Sequence, residues 1–167
     1  MAGQKSIGAT GWKCRDITFS PTTGGVVGTT TNDNASAGMV GEYISSSVTN
    51  QGPFGNGVWG DLTSISLTAG DWEVTASCNA EPNGSTTFNT FSIGVSSNSG
   101  NTTTGLTDGL NYMFESTTDQ THTRNLTVTS FRISLSATTT YYFKARFDYS
   151  NGSPRTTGST IRARRIR

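Results

Sequence analysis

A chain of 167 residues and 17.7 kDa is long enough to bury one hydrophobic core. Thr (30), Ser (21), Gly (20) and Asn (12) make up about half of it, and only 14% of residues are charged, which excludes a charge-extended disordered chain and a helical bundle and points to a β-rich fold with many turns. The formal net charge of +1 hides a segregation: residues 1–15 carry three bases and no acid, 16–123 ten acids and no base, and 124–167 nine bases against Asp148.

Residues 1–38 read as an N-terminal arm or anchor, and 39–167 as the folded domain. "MAGQKSIGAT" has no apolar core, so no secretory leader is expected, and no stretch reaches membrane-spanning length. "SPTTGGVVGTTTNDNASAG" at 20–38 offers only Val26 and Val27 to bury, as a linker or an arm that orders against a partner would. Trp12, Ile17 and Phe19 just before it favour the docking arm.

From Gly41 onward the hydrophobic period is two. In "DWEVTASCN" Trp72, Val74, Ala76 and Cys78 share one face; "FSIGV" aligns Phe91, Ile93 and Val95. "YYFKARFDY" puts Tyr141, Phe143, Ala145, Phe147 and Tyr149 inward and Tyr142, Lys144, Arg146 and Asp148 outward. Such alternation predicts half-buried antiparallel strands, polar side to solvent. Leu126 and Val128 are even while Phe131, Ile133 and Leu135 are odd, so a β-bulge or break is expected near Thr129–Ser130. Turn signals at 68–71, 82–85, 98–101 and 150–154 separate the strands. Several short strands with regular turns mean an all-β, antiparallel sandwich or barrel. The chain closes on "IRARRIR", where Ile161 and Ala163 alternate with outward Arg162 and Arg164, and Arg165 and Ile166 break the pattern as a strand end meeting another chain would. An acidic body with this basic end can pair with itself, within a chain or between copies. A nucleic-acid patch is the rival, but it calls for bases clustered on a face with stacking aromatics, and no nucleic-acid partner is expected.

Catalytic signals are sparse. His122 stands alone among Thr and Asn, and no GxSxG, phosphate-binding glycine loop or His/Cys metal cluster occurs, so no cofactor or metal is expected. Asp71 and Glu73 have the spacing of a glycosidase pair, but Asp71 reads better as the turn residue of "AGDW". Cys14 and Cys78 lack metal spacing; Cys78, on an apolar face, is expected to be a buried free thiol. Binding candidates lie in loops. "NQGPFGNGVWG" at 50–60 sets Phe54 and Trp59 among glycines, as a sugar-stacking loop or with Trp59 capping the core. "SNSGNTTTGLTDGLNYMF" at 97–114 is a long polar segment ending near Asn111 and Tyr112, and Asn151 sits in the turn at 150–154.

Four segments in order, "VGTTTNDNASAGMVGEYISSSV" (27–48), "TSISLTAGDWEVTAS" (63–77), "ATTTYYFKARF" (137–147) and "STIRARRIR" (159–167), resemble the C-terminal knob domains of tailed-phage fibres and related phage structural proteins. The resemblance implies a jelly-roll-like β-sandwich, similar to the tumour-necrosis-factor and complement globular-head fold, assembled as a homotrimer. It also implies a non-enzymatic virion protein that adsorbs to the host through loops binding a surface glycan or protein, its arm held by another virion protein. A capsid or tail decoration protein without receptor binding is the alternative, and a polysaccharide-degrading enzyme a third. In a trimer the terminal strands gather arginines near their neighbours, so Arg162, Arg164, Arg165 and Arg167 are expected at the subunit boundary, with Arg162 and Arg164 paired to carboxylates.

Overall fold

The structure, a computed structural model, describes residues 31, 33–82, 86–107, 109–116 and 122–167. Most of the expected arm, Cys14 and the turn residues 83–85 lie outside the described residues. Asn34–Arg167 forms one compact unit.

Eight strands follow in chain order: β1 Tyr43–Val48, β2 Trp59–Leu67, β3 Gly70–Glu81, β4 Phe88–Ser96, β5 Tyr112–Ser116, β6 Arg124–Leu135, β7 Thr139–Tyr149 and β8 Arg155–Arg165. They pair antiparallel into two four-stranded sheets, β1-β8-β3-β6 and β2-β7-β4-β5. Among the described residues there is no helix, and the fold is an all-β sandwich.

The alternation read from the sequence builds the core. Trp72, Val74, Ala76 and Cys78 of β3 and Ile161 and Ala163 of β8 face Phe91, Ile93 and Val95 of β4 and Phe143, Ala145 and Phe147 of β7, all buried. The Phe91 and Phe147 rings stack 4.8 Å apart, a geometry that adds to area burial. Cys78 is a buried free thiol, as expected; burial pushes its pKa up to about 12, partly opposed by the Ser159 hydroxyl that donates to its Sγ.

The bulge falls where the parity changes. Val74 pairs with Phe131 and Ala76 with Val128, so Thr129 and Ser130 of β6 together oppose Thr75 of β3. The extra residue lets both halves of β6 keep their apolar side chains on the core.

Two expectations change. Asp71 is not a turn residue: the turn from β2 to β3 takes only Thr68 and Ala69, and Asp71 is a buried residue of β3. Lys144 does point away from the core, but it is fully buried. The cause is the β4–β5 loop, which folds back over the outer face of its own sheet. Gly94 of β4 makes room for it, since a Cβ there would lie 2.5 Å from the Leu106 side chain.

Candidate functional site

Three places gather the polar chemistry of the domain: the β8 arginines, the β4–β5 loop, and a cleft beside that loop.

In β8 the alternation persists to the end of the strand. Ile161, Ala163 and Arg165 are all buried, whereas Arg162 and Arg164 are exposed. Arg165 therefore occupies a core-facing position. Its Nε donates to Glu42 at 2.9 Å, its Nη1 to the Ala69 carbonyl at 2.8 Å, and its guanidinium carbon lies 4.3 Å from the Trp72 ring centroid. Burial pushes the Glu42 carboxyl up, but the Gly38 amide and the Arg165 guanidinium outweigh it and hold it below its ordinary value. Arg167 contacts Asp71 at 2.7 Å, and Arg132 reaches the same carboxylate at 2.8 Å. A Ser134 hydrogen bond, the Arg132 hydrogen bond and both arginine charges hold Asp71 below its usual range. Arg165 and Arg167 thus each have a carboxylate partner within the chain.

Seven of the nine basic residues from Arg124 onward form ion pairs. Among the described residues, Arg162 and Arg164 form none. They lie on the outer face of the first sheet, Arg162 between Ser45 and Thr75, and Arg164 between Tyr43 and Glu73.

The β4–β5 loop is fixed by many short contacts. Lys144 Nζ donates to the carbonyls of Asn98 (2.9 Å) and Thr102 (3.1 Å) and lies 3.8 Å from Asp61 Oδ1. Burial pushes the Lys144 pKa down, and Asp61 offsets part of that. Asp61 also accepts from the Gly100 amide, and Asn101 accepts from the Trp59 amide. The Asn111 side chain accepts from the Thr107 amide and donates to the Gly105 carbonyl, closing the far end.

Beside this loop a cleft of about 520 Å³ opens between β6 and β7. Leu110, Phe131 and Tyr141 give it apolar walls; Ser97, Thr107 and Asn111 add hydroxyls and an amide.

The structure distributes the loop candidates unevenly. Trp59 is buried at the start of β2 outside the main core, its ring 5.7 Å from that of Tyr112. Tyr112 in turn donates to Ser92 at 3.4 Å. Phe54 packs on the core, 5.0 Å from Phe147, so that ring face is taken. Asn151 is exposed in the β7–β8 turn, away from the cleft lining, and its carbonyl accepts from Thr87. Of the five, only Asn111 lines the cleft. No family model matches the chain, and no curated protein matches it.

The remaining chemistry is structural. Asp71 and Glu73 share the outer face of β3, but two arginines close over Asp71 and Ser130 donates to Glu73. A carboxyl held below its ordinary pKa is the reverse of what a general acid needs. His122 is exposed shortly before β6. Sequence reasoning missed Leu110, Phe131 and Tyr141 as cleft residues. The available signal was the length of the 97–111 segment, which has to lie against something.

Proposed function

We propose that this protein is a phage virion component, a homotrimeric jelly-roll knob that binds a host cell-surface receptor, glycan or protein, while its N-terminal segment engages another virion protein. The observation that carries the reading is where the four family-like segments fall. They contribute β1, parts of β2 and β3, most of β7 and the greater part of β8, and these strands adjoin as β1-β8-β3 in one sheet and β2-β7 in the other. The resemblance thus follows a packed unit rather than scattered turns. The two strand orders support the jelly-roll arrangement of eight antiparallel strands in two sheets. Arg162 and Arg164, which form no ion pair among the described residues, support assembly, because two adjacent guanidiniums on a sheet face suit acids brought by a neighbour. The closed surroundings of Asp71 support a binding role over hydrolysis.

Gold-labelled antibody against the protein, viewed on intact virions by electron microscopy, tests the reading. Label at the tail tip or fibre ends is the expected result. Label over the head would make it a decoration protein and end the receptor reading.

A further inference from the structure

The β6–β7 cleft has the size of a small-molecule site, within the roughly 300–1,000 Å³ typical of ligand pockets. Its lining narrows the ligand class. Among the described lining residues there is no carboxylate, and the one charged group, Arg132, is already held by Asp71. With Arg132 engaged by Asp71, neutral contacts make up the larger part of the described lining. Apolar contact comes from Leu110, which is 56% exposed, and from half-buried Phe131 and Tyr141. Beside them stand the Ser97 and Thr107 hydroxyls, and the Tyr141 hydroxyl makes no hydrogen bond among the described residues. Apolar faces interleaved with neutral hydroxyls complement a sugar ring, whose C–H face packs on aromatic and aliphatic carbon while its hydroxyls hydrogen-bond at the rim. The site is also pre-formed: the Asn111 amide and the Ser96 hydroxyl, which donates to the Thr104 carbonyl at 2.5 Å, fix the loop that makes one wall. A fixed wall spares a ligand the cost of ordering a loop.

We infer that this cleft binds one uncharged sugar unit of a surface polysaccharide, held against Leu110, Phe131 and Tyr141 and hydrogen-bonded by Ser97 and Thr107. The inference rests on the reading of the protein as a cell-surface binder and names the ligand class of that role. A second copy of the chain is the competing occupant, but an interface core is well packed and poor in serine, unlike this concave wall with its Ser97 and Ser130.

The test is an NMR titration of the isotope-labelled full chain with glucose, galactose, mannose, N-acetylglucosamine and N-acetylgalactosamine, each at tens of millimolar. At least one sugar is expected to give saturable shifts centred on the amides of Ser97, Thr107, Leu110 and Ile133. Leu110→Ala, at an exposed position that leaves the core intact, is expected to weaken that binding about tenfold. If none of the five sugars moves these amides, or if they move only on dilution of the protein alone, the inference is overturned. Binding of fluorescent protein to bacterial cells, measured in parallel, separates the two readings. A silent cleft with cells still coated sinks the cleft alone; a responsive cleft with no cells coated sinks the receptor reading alone; a silent cleft with bare cells sinks both.

Discussion

Arg165 shows how one side chain can decide the end of a strand. Its charge is buried against Glu42 and backed by the Trp72 ring and two acceptors of the β2–β3 turn. A side chain at Gly70 would run into this guanidinium, so the glycine keeps the space open. Breaking one partner of such a pair leaves an uncompensated charge. Arg165→Met is therefore expected to cost about 3 kcal/mol in urea unfolding, and adding Glu42→Gln is expected to restore part of it. The same pair sets a pH dependence. The Glu42 carboxyl is held below its ordinary value, so its contribution is complete above the unfolded carboxylate pKa and fades as pH falls through the lower folded one. Unfolding free energy followed downward from neutrality is expected to fall below about pH 4 in the parent. In Glu42→Gln that slope is shallower; identical slopes would show that the carboxylate carries no such linkage.

Elements repeat the lesson over longer distances. The period-two patterns of β3, β4 and β7 and the parity change in β6 were legible because strand faces and bulges are local properties of the chain. Burial of Lys144 was not, because its cover is the loop residues Asn98 and Thr102, more than forty positions away. Arg165 failed for a related reason. Alternation put it inward, but an arginine at an inward position looks like a break until Glu42, 123 residues upstream, is seen beside it. The cleft was hidden likewise, since Phe131 and Tyr141 read as inward residues and the loop residues that complete the lining, among them Ser97, Thr107 and Leu110, are distant from them in sequence. The Lys144 clamp makes a separable prediction. Replacing a buried, partly paired charge by an apolar side chain of similar length is often neutral for the whole fold, yet here it removes two of the hydrogen bonds that hold the loop. Lys144→Met is expected to leave overall stability within about 1 kcal/mol while speeding hydrogen exchange at Asn98, Gly100 and Trp59 about tenfold. Uniform acceleration across the strands would instead mean that Lys144 supports the core.

At the scale of the whole molecule, the charge segregation of the sequence takes on a specific form. Most of the basic C-terminal stretch is neutralised inside the chain by acids from the base-free middle: Glu42, Asp61, Asp71, Glu81 and Glu115. What remains is Arg162 and Arg164, two strand positions apart on one exposed face. Neither forms an ion pair among the described residues, and with Glu73 across from Arg164 the face keeps a net positive charge at close range. Three copies can bring such faces near one another only if acids intervene or solvent separates them. The homotrimer proposed above requires a solution mass of about 53 kDa, three times 17.7 kDa; a monomer at micromolar concentration contradicts it. If the arginines bind a neighbour's carboxylates, the double variant Arg162→Glu, Arg164→Glu shifts the assembly toward smaller species at low ionic strength. High salt narrows the gap between variant and parent, because exposed charges are screened beyond roughly 8–10 Å at physiological strength. Sedimentation of both proteins at low and at high salt reads this directly. A variant that assembles as the parent does under both conditions would show that the two arginines face solvent in the particle, and their role would then lie with an acidic partner outside the trimer.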